Sequence, residues 1–129
     1  MRILKTKWFA HFAIKNRIPD QRLKTAIEEV ESGIMDADLG GGLIKKRIAR
    51  EGEGKSGGYR TIIAYRRQAT AFFIFGFTKN RRDNIDDKEL AILRDAARQY
   101  AKLTDSEITA AVLVGQFTEI DLNDKKIQK

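Results

Sequence analysis

The apolar residues of this chain switch between strand-like and helix-like spacing, and the switches mark its elements. Residues 2–5 read as a short strand. Trp8, Phe9, Phe12 and Ala13 then fall on one helix face, with Thr6 placed to cap it and Trp8 read as core. Pro19 and Asp20 are expected to end that helix and cap the next, whose stripe is Leu23, Ala26, Ile27, Val30 and Ile34, with Gly33 near its end. Asp38 to Gly42 read as a break whose glycines turn sharply into a sheet. No Gly-Lys-Ser/Thr follows them and no helix opens there, which argues against a phosphate loop. Strands follow at 43–50, 59–67 and 71–78, with a Gly/Glu/Lys loop at 51–58 and a short hairpin connection from Arg67 to Thr70. In the last of these strands Ala71, Phe73, Phe75 and Phe77 alternate with Phe72, Ile74, Gly76 and Thr78. Both sets are largely apolar, as in a central strand covered on both faces.

Asp86 with Glu89 forms a capping-box pattern ahead of Leu90, Leu93, Ala97 and Tyr100, and Thr104 with Glu107 repeats it for a short helix stopping at Gly115. Residues 117–122 alternate weakly and suit an edge strand or a partner-binding segment, and 123–129 read as a flexible tail. The expectation is a single domain over 1–122. Its order, β-α-α-β-β-β-α-α, predicts an α+β fold: an N-terminal helical hairpin packed on a small, mostly antiparallel four-stranded sheet, with C-terminal helices.

Composition narrows the chemistry. At 129 residues and 42% hydrophobic, the chain can bury one core without staples. It has no cysteine, so disulfides, thiolate nucleophiles and cysteine zinc sites are excluded. Its single histidine, His11, argues against a histidine metal site and a Ser-His-Asp triad. No metal and no cofactor are expected. The basic N-terminus lacks the apolar run of a signal peptide, and no apolar stretch has membrane-spanning length, so the cytoplasm is the default compartment.

The net charge of +7 is unevenly spread. Residues 45–82 carry eleven basic and two acidic side chains, whereas 83–124 carry four basic and ten acidic. A concentrated basic surface attracts and steers polyanions. The stretch Lys55-Ser56-Gly57-Gly58-Tyr59-Arg60 is a basic turn feeding an apolar strand. Its glycines suit close backbone approach, here to a phosphodiester. Lys45, Lys46, Arg47 and Arg50 on the preceding strand, and Lys79, Arg81 and Arg82 after the last strand, are expected to join it on one surface. Lys, Arg, Asp, Glu, Tyr and Ser suffice for one reaction class, metal-independent RNA cleavage by attack of a 2′-hydroxyl on the adjacent phosphate. Arginine matches phosphate oxygens in bidentate fashion, and a lysine crowded by cations can carry protons. The same patch also suits binding alone.

The string Gly54 to Ile63, after Lys46-Arg47-Ile48-Ala49-Arg50 and before Phe73-Ile74-Phe75-Gly76-Phe77-Thr78-Lys79-Asn80, resembles the RelE/ParE superfamily of toxins from type II toxin–antitoxin systems, and within it the RelE- and HigB-like branch. The resemblance spans residues 1 to about 103. It implies a ribosome-dependent endoribonuclease, an mRNA interferase, neutralised by a cognate antitoxin in a hetero-oligomer. Arg60 resembles the arginine opening the family's third strand, which stabilises the phosphate transition state. Arg47 and Arg50 resemble the second-strand cations, and Lys79, Arg81 and Arg82 the cluster after the fourth strand. Lys55 becomes a phosphate contact or proton carrier. The resulting catalytic set is Arg60, Lys55, Arg47, Arg50 and Arg82, with Lys45, Lys46, Lys79 and Arg81 binding RNA.

The tyrosine some relatives carry after the last basic cluster is replaced here by Asp83-Asn84-Ile85-Asp86, and His11 lies far off on the first helix. The general base and acid stay open, with Asp83 or Asp86 as candidates, Asp86 also being a helix cap. Tyr59 and Tyr65 are expected to pack in the sheet. Two alternatives remain: a ParE-like toxin blocking a protein such as DNA gyrase, and a non-catalytic nucleic-acid-binding module.

Overall fold

A computed structural model describes residues 1–50, 58–78 and 84–121. Its elements are β1 (Arg2–Thr6), α1 (Lys7–Lys15), α2 (Asp20–Glu31), β2 (Ala37–Gly40), β3 (Leu43–Ile48), β4 (Tyr59–Arg66), β5 (Thr70–Thr78), α3 (Asp87–Ala101), α4 (Asp105–Leu113) and β6 (Phe117–Glu119). The strands form one sheet in the order β2-β3-β4-β5-β1-β6. The β1–β5 ladder is parallel and the other ladders are antiparallel. The four expected strands are all present, but the sheet has six and is mixed. Of the two additional strands, β2 is an edge of four residues, too short for periodicity to register, and β6 is a three-residue edge within 117–122, where weak alternation suited an edge strand. The β1–β5 pair is parallel because helices and strands intervene between them, the crossover that parallel pairing requires.

α1 and α2 cover one face of the sheet, and α3 and α4 the other. One core gathers Phe9, Leu23, Ile27, Ile63 and Phe73, and a second gathers Leu4, Ile62, Phe72, Ala97, Ile108 and Phe117. β4 and β5 are therefore buried on both faces, as the doubled apolar pattern of β5 implied. α1 docks on β5 and β1, and α2 on β3. Each helix rests on the sheet more than on its neighbour, so the expected hairpin is two separately docked helices.

The caps follow the sequence closely. Thr6 Oγ1 accepts the Phe9 N–H at 3.2 Å. Asp86 accepts the Glu89 N–H at 2.8 Å while Glu89 accepts the Asp86 N–H at 3.1 Å, and Thr104 and Glu107 do the same at 3.1 and 2.9 Å. α2 differs. Its N-cap is Pro19, which offers no side-chain acceptor, and Asp20 lies inside the first turn, accepting from Lys5 Nζ at 2.7 Å. α2 also ends before Gly33, whose φ is +97°, leaving Ile34 outside the helix and 54% exposed. Trp8 is not core: it is 48% exposed and lies on Phe12 and Phe75, with ring centroids at 5.4 and 4.7 Å.

β5 breaks its own alternation. Ile62 faces Phe75 across the ladder but Ile63 faces Phe73, leaving Ile74 as the extra residue of a bulge. The bulge reverses which side later residues face. Gly76 turns to α1, where a Cβ would stand 2.6 Å from the Phe12 ring, and Phe77 turns to the other face, opposite Arg60. Gly58 has a different constraint. A Cβ there would stand 2.0 Å from the Ile48 carbonyl oxygen and 2.9 Å from the Ala49 Cα, so this glycine serves the close approach of β4 to β3. The phosphate-approach reading of Gly58 is thereby replaced by a structural one. Gly57 lies outside the described residues.

Two outcomes follow from this packing. Gly58→Ala should destabilise by about 3 kcal/mol or more, because the obstruction is backbone that cannot rotate away, and denaturant unfolding measures it. Lys46 is 3% exposed at its side chain and pairs with the Glu29 carboxylate of α2 at 2.7 Å. Glu29→Ala strands a buried ammonium and should cost about 3 kcal/mol, whereas Lys46→Met leaves a partly exposed carboxylate and should cost about 1 kcal/mol or less. A reversed order would refute this account of the pair.

Candidate nucleic-acid interface

Side chains directly opposite in an antiparallel ladder share a face. The β3–β4 register places Arg47 opposite Arg60, Lys45 opposite Ile62, and Leu43 opposite Ala64. On this face β3 therefore passes from Leu43, inside the second core, to Lys45 and then Arg47. Across β4 the series continues into β5, where Phe77 stands opposite Arg60. Lys45, Arg47 and Arg60 form one cationic patch, beside the apolar core that α3 and α4 cover.

The other predicted cations divide. Lys46 is opposite Thr61, on the α1–α2 face, buried in its pair with Glu29. Arg50 also turns to that face: its Nε donates to the Tyr59 hydroxyl at 3.1 Å, and its guanidinium carbon stands 5.2 Å from the Tyr59 ring centre. The expected single surface is thus split in two by the two-residue period of the strand. The signal was legible in β3, where Ile44 and Ile48 flank Lys46 on an apolar set while Lys45 and Arg47 share the other. Lys55, Lys79, Arg81 and Arg82 lie outside the described residues, as does Asp83. β5 ends at Thr78, opposite Tyr59 and next to the Arg60–Phe77 pair.

Arg47 and Arg60 have unlike surroundings. Arg47 Nε donates to Asp36 Oδ1 at 3.1 Å, and its backbone N–H donates to the other oxygen of the same carboxylate. Asp36 is a neighbour of the patch that periodicity alone does not reveal, because it lies between elements. Arg60 is half-buried, and among the described residues its Nη1 is shielded from water yet has no hydrogen-bond acceptor. A buried unpaired donor costs about 1–3 kcal/mol, more when charged. Like charges directly opposite on a sheet add to that cost. Among the described residues, Arg60 is the member of the patch left with an unmet donor, which suits it to an anion with several oxygens.

The tyrosines are engaged elsewhere. Tyr59 is buried and donates to the Asn16 carbonyl at 3.1 Å. Tyr65 donates to Glu31 of α2. Its hydroxyl is pushed up to about 12, first by burial and then by that carboxylate, while the hydrogen bond from Tyr65 holds Glu31 below the ordinary carboxylate range. Tyr100 stacks on Phe72 at 4.9 Å, and burial raises its pKa. Asp86 is committed to its capping box.

A three-layer fold with a cationic patch on its central strands is the setting in which the comparison with known families becomes decisive. The family model described as the RelE toxin of the RelE/RelB toxin–antitoxin system matches residues 1–120. The chain belongs to the RelE toxin family, within the RelE/ParE superfamily of type II toxin–antitoxin systems. Membership implies an antitoxin as partner. No curated protein matches the chain closely enough to count as a relative. Among the described residues, no helix is long and apolar enough to cross a membrane.

If Arg60 is kept for a ligand and not for the fold, replacing it with an apolar chain of similar length should not harm stability. Arg60→Met is expected to leave the thermal midpoint unchanged or raise it by a few degrees. A fall of more than about 5 °C would mark Arg60 as structural.

Proposed function

We propose that this toxin is a ribosome-dependent endoribonuclease that cuts messenger RNA in the cytoplasm without a metal ion. The observation that carries the reading is the Nη1 of Arg60, without an acceptor among the described residues, directly opposite Arg47 and on the same face as Lys45, which pairs with Ile62. In the proposed reaction the 2′-oxygen of one nucleotide attacks the adjacent phosphorus. The phosphorus–O5′ bond breaks, leaving a 2′,3′-cyclic phosphate and a 5′-hydroxyl. The 2′-hydroxyl proton is lost to a base, and the leaving 5′-oxygen gains one. Arg60 and Arg47 would neutralise the charge that grows on the non-bridging oxygens, where preorganised donors have most effect. Asp36 would hold the Arg47 guanidinium in place. Lys45, crowded by both arginines, would contact the phosphate chain. Lys46 is assigned to the fold, and the base and acid are left unassigned. Lys55, Lys79, Arg81 and Arg82 remain proposed contributors on the strength of the family resemblance. The antitoxin would neutralise the toxin in a hetero-oligomer.

Induction in a bacterium, with mapping of new RNA 5′ ends, tests this. The wild-type chain should arrest growth and cut inside translated messages. Arg60→Ala should lower cleavage by about 100-fold or more, as removal of a transition-state donor does. Arrest without new ends would overturn the nuclease reading in favour of a protein target such as DNA gyrase.

A further inference from the structure

Of the cations turned away from Arg60, Arg50 meets cations of α1, α2 and the corner between them around a second concavity. α1 stops at Lys15, Asn16 caps it, and the chain reverses through Arg17, whose φ is +56°. This corner faces the end of β3, and between them lies a cleft of about 360 Å³. Lys15, Arg17, Arg22 and Arg50 contribute to its wall with the Tyr59 side chain, and no described carboxylate lines it. The wall is tied down on both sides. Arg22 Nη1 donates to the Ala49 carbonyl at 2.6 Å, and Tyr59 joins Arg50 to the Asn16 carbonyl through bonds of 3.1 Å each. Lys15 has a structural reason to be there, since a cation suits the last turn of a helix. Arg22 occupies the first turn of α2, where the helix already carries partial positive charge, and its bond to the Ala49 carbonyl fixes that cation in the wall.

We propose that this cleft binds a phosphodiester of an RNA strand, distinct from the one that is cut. The proposal rests on the RNA-cleaving reading above. Charge and shape favour it: four cations converge on one concavity whose described lining holds no carboxylate. Position favours it as well. Ile48 and Tyr59 pair one step along the ladder from Arg47 and Arg60, so the cleft and the arginine pair occupy opposite faces of the same sheet end. RNA rounding that end meets both. The cleft anchors the strand and contributes to binding, while the chemistry stays on the other face.

Lys15 and Arg17 are not buried, so Lys15→Gln with Arg17→Asn tests the cleft without unfolding the chain; asparagine also tolerates the left-handed backbone. The measurement is the affinity of a short single-stranded RNA over a salt series, in the intact chain carrying Arg60→Met to prevent cutting. The double change should weaken binding by about 10-fold at low salt. It should also reduce the salt slope by about 0.7 for each phosphate that is no longer neutralised. With Arg60 restored and message-loaded ribosomes as substrate, KM should rise and kcat should hold. An unchanged affinity and slope would overturn the proposal while leaving the cleavage reading intact. So would weaker antitoxin affinity with RNA binding unchanged, which would make the cleft a protein-docking site. Inorganic phosphate protected by the cleft in the absence of any RNA effect would reduce it to an anion site and overturn it too. Failure of the unaltered chain to cut messages being translated on the ribosome would refute the cleavage reading itself, and the proposal with it.

Discussion

Every placement of a charged residue on the central strands depends on the register between β3 and β4. With Arg47 opposite Arg60, one face receives Lys45, Arg47 and Arg60, and the other receives Lys46, Tyr59 and Ile48. A slip by one residue would send Lys46 out and carry the arginines into the hydrophobic layer beneath α1 and α2. Several features hold the register against that slip. Gly58 admits the β3 backbone where any side chain would block it, Lys46 is tied to Glu29 on α2, and Thr61 Oγ1 donates to the Lys46 carbonyl at 2.8 Å. The paired lysine and the crowded glycine thus serve the cationic patch indirectly, by fixing where its members point.

The cations of these strands are satisfied to different degrees. Lys46 and Arg47 each have a carboxylate, and Arg50 has a tyrosine. Arg60 has a buried nitrogen with no acceptor among the described residues. Such a group lowers stability, and the doubly buried strands β4 and β5 tolerate it because their apolar burial is extensive. The β5 bulge belongs to the same arrangement. It brings Phe77 beside Arg60 while Gly76 lets α1 lie close on the opposite side.

Much of the fold was legible because its signals are local. Thr6, Asp86 with Glu89, and Thr104 with Glu107 cap helices by contacts three residues apart, and short-range patterns reveal those directly. The helix stripes and the doubly buried β5 were legible for the same reason. What escaped depends on partners distant in sequence. Lys46 finds Glu29, Arg47 finds Asp36, and β1 finds β5 across most of the chain. The candidate site was legible in composition and only half legible in geometry. A dense run of lysine and arginine announces a cationic surface, but consecutive residues on a strand must point opposite ways. Trp8 followed the helical stripe in spacing and still emerged at the surface, because β1 pairs with β5 only as far as Phe73 and leaves the end of β5 without that neighbour.

The mixed sheet also has a temporal side. β1 is made first, yet its two neighbours are β5 and β6, and Arg2 closes the arrangement by gripping Glu119 at 2.7 Å. Until those segments leave the ribosome, the first strand has unpaired edges and the central layer lacks its finishing members. Such long-range closure is slow compared with local helix formation. A toxin built this way keeps its sheet open until a strand 117 residues beyond Arg2 has been made, so its local helices can form well before its central layer closes.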